Sequence, residues 1–329
     1  MKYLTIPGFV NDVSKVCFGT GGFTFSDAVE NRHMMDLYLE NGGNFFDTAN
    51  IYGRWLASET NESEKIIGQW IMERVINERN YKRSDIIIST KGAHPDFDTM
   101  HLPRISESHI RLDIEDSLKS MNTDYIDVYW MHRDAPRIPV EAIIEPLIKL
   151  KDECKILSFG LSNWTIERIL QVDAFMKKNH LEGLFGIQNR WGFAAYNPEG
   201  SEDDTLVSMS MDEYQWHVET RIPSMPYSGM AKGYFTKILK YGKDKIDPKL
   251  LDYYDNPLND ARFNALEEIS LDIGRPISQI ALAFLLNQPF PVIPIVGFAN
   301  ESQLFDAVES TNIILTKEQM IYLSQGRSY

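Results

Sequence analysis

The stretch Ile86-Ile87-Ile88-Ser89-Thr90-Lys91 is a short run of β-branched apolar residues that ends in a reactive side chain. The same arrangement recurs in Asn44-Phe45-Phe46-Asp47 and in the apolar run from Ile126 to His132. Tyr52 follows Asp47 on the next loop. If these runs are neighbouring parallel strands, an acid, a phenol, an ammonium and an imidazole meet at one rim of a sheet. Such a group suits proton transfer to a carbonyl oxygen.

Apolar runs alternate with amphipathic patterns along the rest of the chain. The strand pattern occurs at residues 16–19, 44–47, 85–90, 126–131, 156–160, 184–188, 221–226 and 292–295. The helix pattern occurs at residues 27–41, 63–77, 106–121, 141–151, 165–179, 259–273, 278–287 and 301–309. Two longer stretches, residues 192–220 and 232–258, are predicted as irregular loops after late strands.

Strands that alternate with helices eight times predict parallel βαβ units that close into a (β/α)8 TIM barrel. We expect residues 1–329 to form a single domain with long loops at the C-terminal rim. A doubly wound open sheet is the main alternative, and it usually carries G-x-G-x-x-G after its first strand. The matching stretch, Gly19-Thr20-Gly21-Gly22-Phe23-Thr24, lacks the third glycine, which favours the barrel.

The composition predicts a soluble cytoplasmic protein. Its 33 basic and 47 acidic residues give a net charge of −14, which argues against nucleic-acid and anionic-membrane surfaces. Cys17 and Cys154 lie in or beside apolar segments, so we expect buried free thiols and no metal site. The first residues lack the pattern of a signal peptide, and no apolar run approaches the roughly 20 residues that span a bilayer.

The chemistry predicted for the rim centres on Tyr52 as a proton donor. A free phenol has a pKa near 10, and a neighbouring ammonium such as Lys91 lowers it by favouring the phenolate. Asp47 would hold Lys91, and His132 would orient the carbonyl or relay the proton. Taken singly, each residue is more often structural, but their shared position at strand ends favours a site.

Several motifs, in this order, resemble those of the aldo-keto reductases between about residues 16 and 309. They are Phe46-Asp47-Thr48-Ala49-Asn50-Ile51-Tyr52-Gly53, Ser63-Glu64, Ile67-Gly68, Ser89-Thr90-Lys91, Met131-His132-Arg133 and Gly160-Leu161-Ser162-Asn163-Trp164. The resemblance implies a barrel that binds NADPH or NADH across its rim, with Tyr52 as general acid supported by Asp47, Lys91 and His132. The stretch His132-Arg133-Asp134-Ala135-Pro136 is similar to a branch associated with sugar or inositol-type substrates.

The resemblance also implies which residues hold the cofactor. Ser162, Asn163 and Gln188 would hold the nicotinamide carboxamide, which needs both hydrogen-bond donors and acceptors. Ser162-Asn163 would also suit a helix cap. Tyr227 would stack on the nicotinamide ring. The remaining expected cofactor contacts, besides Asp47, are Gly19, Thr20, Gly21, Ser228, Gly229, Met230, Ala231, Lys232, Gly297, Phe298 and Gln303.

The adenosine end departs from the pattern of the family. Many relatives place an arginine where this chain has Ala299, to hold the 2′-phosphate of NADP. Glu301 would repel that phosphate, and Ala307 replaces an asparagine often found near the adenine. We therefore expect no strict dependence on NADPH, and use of NADH alone or of both cofactors.

The expected substrate is a small carbonyl compound or alcohol, such as a sugar, a polyol or an aromatic carbonyl. The residues expected to line its cleft follow strand ends: Phe23, Trp55, His94, Trp164 and Phe193. An NAD(P)H-dependent oxidoreductase is the leading interpretation. A bound-cofactor sugar epimerase or eliminase is one alternative. A redox-sensing partner, like the potassium-channel β subunits of this family, is another, and the oligomeric state stays open.

Overall fold

The computed structural model describes residues 1–7, 9, 11–54, 61–200 and 203–326. Its strands are β1 (Tyr3–Leu4), β2 (Val13–Ser14), β3 (Cys17–Gly19), β4 (Phe45–Asp47), β5 (Ile87–Gly92), β6 (Ile126–Met131), β7 (Ile156–Ser162), β8 (Ile187–Gln188) and β9 (Ile295–Val296). Strands β3 to β9 form one parallel sheet in the order β8-β7-β6-β5-β4-β3-β9. Within the described ranges, β1 and β2 pair only with each other, as an antiparallel hairpin.

Ser224 closes the sheet between its two ends. It forms parallel bridges with Ile187 of β8 on one side and with Val292, just before β9, on the other. The closed parallel arrangement is the predicted (β/α)8 barrel, which is confirmed. The barrel therefore brings the carboxyl ends of its strands to one rim.

The segment predicted as the seventh barrel strand, residues 221–226, forms only isolated bridges. Pro223 and Pro226 have no N–H group, so the hydrogen-bond ladder lacks donors at both positions. Ser224 N still donates to Pro291 O at 3.0 Å, and Met225 N donates to Ile187 O at 2.8 Å. The segment thus holds its place in the barrel without forming a regular strand.

Helices pack around the barrel. They are α1 (Ala28–Glu40), α2 (Glu62–Ile71), α3 (Glu107–Ser120), α4 (Val140–Asp152), α5 (Ile166–Lys178), α6 (Met211–Thr220), α7 (Tyr234–Tyr241), α8 (Pro248–Tyr254), α9 (Pro257–Ile273), α10 (Ile277–Leu286), α11 (Glu301–Ser310) and α12 (Lys317–Gln325). A π-helical turn, Met72–Asn77, extends α2. The eight predicted helices are all present, within a few residues of their predicted ends.

The two stretches predicted as irregular loops contain helices, so this part of the prediction was wrong. Residues 192–220 include α6, and residues 232–258 include α7 and α8. Ser210 Oγ accepts from Glu213 N at the start of α6, and Asp247 accepts from Lys249 N at the start of α8. Such caps mark helix starts in a sequence even where the apolar pattern is weak.

Strand side chains fill the inside of the barrel. Phe45, Ile87, Val128, Trp130, Phe185, Met225 and Ile293 form one buried cluster. Ile6 and Val13, from the hairpin segment, join this cluster. The interior is therefore packed, and the space for a ligand lies at the rim.

The two cysteines differ in exposure. Cys17 is buried in β3, but Cys154 is exposed, so its predicted burial was wrong. Cys154 lies in the turn between α4 and β7 with a φ of 58°, outside the packed elements. Among the described residues, no helix alone has the length and hydropathy to cross a bilayer, although the pair α9 and α10, bent by 100°, passes both criteria together.

Candidate active site

The four side chains predicted to act together lie at the carboxyl-terminal rim of the barrel. Asp47 ends β4, Lys91 lies near the end of β5, and His132 directly follows β6. Tyr52 lies in the turn after β4, where its N–H donates to Ala49 O at 3.0 Å. The register of the parallel strands thus brings a carboxylate, an ammonium, an imidazole and a phenol together.

Asp47 is a buried carboxylate that three donors hold in place. Its Oδ2 atom accepts from Lys91 Nζ at 2.5 Å. Its Oδ1 atom accepts from Ser89 Oγ at 2.7 Å and from Gln188 Nε2 at 3.0 Å. Both oxygens are therefore satisfied within the protein, which fixes their orientation.

Lys91 links Asp47 to Tyr52. Its Nζ atom also donates to Thr48 O at 2.6 Å and to Tyr52 Oη at 3.2 Å. Burial lowers the pKa of Lys91, but the charges of Asp47 and Tyr52 and their hydrogen bonds outweigh burial and raise the pKa above its ordinary value. Lys91 is therefore an ammonium at neutral pH, in contact with the phenol oxygen.

His132 presents a neutral ring to the same site. Burial lowers its pKa well below the ordinary value, and the charges of Arg133, His94 and Lys91 lower it further. Its ring centroid lies 6.2 Å from that of Tyr52 and 4.9 Å from that of His94. Its Nδ1 atom makes no hydrogen bond within the described residues.

A clamp that the sequence did not predict holds the turn that carries Tyr52. Arg54 donates from Nε to Asn50 O at 3.0 Å and from Nη2 to Asn50 Oδ1 at 2.7 Å. The same Nη2 donates to Asp116 Oδ2 of α3 at 2.9 Å, and Asn50 Nδ2 reaches that oxygen at 2.9 Å. The turn is thus tied to α3 on both sides of Tyr52.

Glu64 supports this clamp from below. Its Oε1 atom accepts from Thr90 Oγ1 at 2.6 Å, and its Oε2 atom accepts from Asn61 Nδ2 at 2.7 Å and Asn50 Nδ2 at 3.3 Å. Burial raises the pKa of Glu64, and the hydrogen bonds oppose that shift. Glu64, of the Ser63-Glu64 motif, therefore stabilises the turn that carries Tyr52.

Ser162, Asn163 and Gln188, the residues expected to hold a carboxamide, are neighbours. Ser162 Oγ donates to Gln188 O at 2.9 Å, and Asn163 Nδ2 donates to Ser162 Oγ at 3.1 Å. Tyr227 Oη donates to Asn163 Oδ1 at 2.6 Å, and burial raises the pKa of Tyr227 to about 12. Asn163 has a φ of 60°, a conformation that asparagine tolerates better than most residues.

A groove of about 1080 Å³ begins beside this cluster. Predicted cofactor residues that line it are Gly19, Ser228, Gly229, Met230, Lys232, Gly297, Phe298 and Gln303. The other predicted cofactor residues lie outside its lining: Thr20, Gly21, Asp47, Ser162, Asn163, Gln188, Tyr227 and Ala231. Thr20 Oγ1 donates to Asp47 O at 3.0 Å, and Gly21 faces the Tyr52 ring.

Several charged residues of the groove, other than Lys232, were not predicted from the sequence. Lys237 and Lys240 of α7 line one wall, together with the predicted Lys232. Asp27 and Asp306 also line the groove. The spacing of three residues between Lys237 and Lys240 along one helix is the signal in the sequence that could have indicated the two lysines.

Ala299 lines the groove, as expected, but Glu301 is not among its lining residues. Glu301 Oε1 instead lies 3.0 Å from His33 Nε2 of α1. The carboxylate of Glu301 is therefore not placed to repel a 2′-phosphate bound in the groove.

Two of the five expected substrate residues pack in the core, which corrects the prediction. Trp164 is fully buried with Arg168 over its ring, and Phe193 packs against the rings of Phe235 and Phe284. Phe23 lines the groove, and His94 contacts the ring of His132. Trp55 lies outside the described residues.

Comparison with known proteins agrees with this fold. Residues 15–326 match the aldo/keto reductase family, to which the chain belongs. It is 27% identical to an uncharacterized oxidoreductase of Bacillus subtilis, and the match covers 93% of this chain and 90% of that protein. It is 26% identical to an aryl-alcohol dehydrogenase [NADP(+)] of Phanerodontia chrysosporium, and the match covers 88% of this chain and 74% of that protein.

A solved structure of a thermostable aldo-keto reductase with the inhibitor epalrestat shares the fold, with a TM-score of 0.70 and 21% identity over 99% of this chain and 100% of that chain. Family membership makes the protein an NAD(P)H-dependent oxidoreductase that interconverts carbonyl and alcohol groups of a small-molecule substrate.

Proposed function

We propose that Tyr52 donates a proton to the carbonyl oxygen of the substrate during reduction and recovers it from the alcohol during oxidation. The observation that carries this proposal is the 3.2 Å hydrogen bond between Lys91 Nζ and Tyr52 Oη. An ammonium beside a phenol favours the phenolate that proton donation leaves behind. Asp47 holds the ammonium in place through its 2.5 Å contact.

His132 orients the carbonyl oxygen beside Tyr52. Since its pKa is lowered by burial and by Arg133, the ring is neutral at pH 7 and offers one N–H donor. A neutral donor at this position binds the carbonyl without competing with Tyr52 for the proton. The ring of His94 packs against the ring of His132 and so helps to hold it in place beside the substrate.

The residues present fit a nicotinamide cofactor. Ser162, Asn163 and Gln188 offer the hydroxyl and amide groups that a carboxamide requires, and the groove beside them has room for a dinucleotide. NAD(P)H, when bound, supplies the hydride. Lys232 and Lys237 of the groove wall suit the negative charge of a pyrophosphate.

NADH and NADPH are both accepted in this proposal. Ala299 offers no cation to a 2′-phosphate, which removes the reason for strict NADPH use. Lys237 and Lys240, which also line the groove, offer positive charge to that phosphate. The two affinities then differ by less than about tenfold, or about 1.4 kcal/mol.

The test is a titration of the purified protein with NADH and with NADPH, followed by quenching of tryptophan fluorescence. An assay of cofactor oxidation with 4-nitrobenzaldehyde follows. We expect saturable quenching by both and aldehyde-dependent oxidation. Binding without turnover of any aldehyde would contradict the proposed chemistry. A hundredfold preference for NADPH would contradict only the dual use of cofactors.

A further inference from the structure

Arg190 lies just past the end of β8 at the carboxyl-terminal rim of the barrel, and the proposed reaction does not use it. It follows β8 by two residues, and side chains alternate in direction along an extended chain. Gln188 points to Asp47, whereas Asn189 points the other way, to the backbone of Trp164. The side chain of Arg190 is therefore on the same side as Gln188.

Among the described residues, Arg190 differs from the other buried arginines because it has no carboxylate partner. Arg133 pairs with Asp203 at 3.2 Å, and Arg168 pairs with Asp134 at 2.9 Å. Arg190 is just 6% exposed, yet within the described part of the chain it forms no ion pair. A buried charge without a counter-charge is costly, so such a residue is usually kept for a ligand.

The surroundings of Arg190 make it a cation held in a fixed position. Its guanidinium carbon lies 3.8 Å from the centre of the Tyr196 ring. Burial raises the pKa of Tyr227, and the positive charges of Arg190 and, to a smaller extent, Arg133 oppose that shift. Since Asp203 balances Arg133, the excess positive charge beside Tyr227 comes from Arg190.

This charge is separate from the groove that fits the cofactor. The groove lining comes mainly from residues 18–34, 228–241 and 295–307, and Arg190 is not among the described residues that form it. Its backbone instead bonds to Val207 O and Met209 N, both at 2.9 Å. The neighbouring Thr205 Oγ1 accepts from Arg133 Nε at 2.8 Å, so the segment from Thr205 to Met209 contacts both arginines.

We propose that Arg190 binds an acidic group on the substrate, so that the enzyme prefers carbonyl compounds bearing a carboxylate or a phosphate. This inference rests on the proposed function, because it concerns the substrate of the same site. A guanidinium binds either group through two parallel hydrogen bonds, which also orients the carbonyl at the other end of the molecule.

The test compares paired aldehydes with wild type, Arg190→Met and Arg190→Lys. One pair is 4-carboxybenzaldehyde and 4-nitrobenzaldehyde, and the other is glyceraldehyde 3-phosphate and glyceraldehyde. We expect wild type to favour the acidic member of at least one pair in kcat/KM. In Arg190→Met that ratio should fall about ten- to hundredfold, mainly through KM, as for a lost charged hydrogen bond.

Arg190→Lys should recover part of the ratio, because it restores the charge. Arg168→Met is the matched control, since it removes a buried, ion-paired arginine, and its ratio should equal that of wild type. A wild type with no preference in either pair would overturn the inference while leaving the proposed function in place. Weaker NADH binding by Arg190→Met, with an unchanged ratio, would overturn it too. If wild type reduced none of these aldehydes, the proposed function would fail, and this inference with it.

Discussion

The Nζ atom of Lys91 lies 2.5 Å from the Oδ2 atom of Asp47, and both side chains are only 3% exposed. Removal of one partner from a buried ion pair leaves an uncompensated charge, at a cost of about 3–5 kcal/mol. We expect Asp47→Asn and Lys91→Met each to lower the free energy of unfolding by that order. The double variant should lose less than the sum of the two.

Urea unfolding of the four proteins completes this double-mutant cycle. Activity should not follow stability, because the double variant still lacks the ammonium beside Tyr52. Additive losses of stability would show that the two charges do not interact in the folded protein.

Tyr52→Phe removes the proposed proton donor and little else. We expect kcat for aldehyde reduction to fall by about 100- to 10,000-fold, the usual contribution of general acid–base catalysis. The NADH dissociation constant, from tryptophan quenching, should stay within about twofold of wild type. Tyr322→Phe is the control, since its hydroxyl donates to Glu268 on the surface at 2.6 Å. Undiminished turnover by Tyr52→Phe would disprove the assignment of the acid.

Arg54→Met tests whether the clamp positions Tyr52. Loss of its contacts with Asn50 and Asp116 frees the turn, and we expect kcat to fall about tenfold, as for a lost hydrogen bond of about 1.4 kcal/mol. NADH affinity should not change. The control is Arg111→Met, because Arg111 lies on α3 and forms an exposed ion pair with Glu153, which follows α4. Equal kcat values in the two variants would show that the clamp contributes to the stability of the fold and does not position Tyr52.

The sequence predicted what depends on residues near one another in the chain. Asp47, Lys91 and His132 end apolar runs, and parallel strands bring such ends together whatever the helices do. The contact of Arg54 with Asp116 spans 62 positions and depends on how α3 packs, which no local pattern describes. A tryptophan after a strand end, such as Trp164, has the same local pattern whether it faces a cleft or the core.

His94, beside His132, should make the protein less stable in acid. Burial and the charge of Arg133 lower the pKa of His94 to about 4, against 6.5 in the unfolded chain. Between these values the unfolded state binds more protons, so the free energy of unfolding decreases as the pH falls from 6.5 towards 4. His94 should account for about 2 kcal/mol of the loss between pH 7 and pH 5.

Urea unfolding at pH 7 and pH 5 measures this contribution. His94→Gln should lose less stability over the interval than wild type, because glutamine does not titrate. His101→Gln, which replaces an exposed histidine, should lose as much as wild type. An equal loss in all three proteins would show that the acid sensitivity has another source.

Gly160 of β7 tests the packing beneath the site. A Cβ atom there would meet the ring of Trp130 and lie 2.6 Å from Gly186 O, so either the barrel backbone or a fully buried ring must shift. We expect Gly160→Ala to lower the free energy of unfolding by about 1–3 kcal/mol, as overpacking usually does. Gly183→Ala is the matched control, since a Cβ at Gly183 has no described neighbour within 4 Å. Because Ser162 lies two residues beyond Gly160 on the same strand, NADH affinity should fall in Gly160→Ala and not in Gly183→Ala. Equal stability of the two variants would show that Trp130 moves aside without cost.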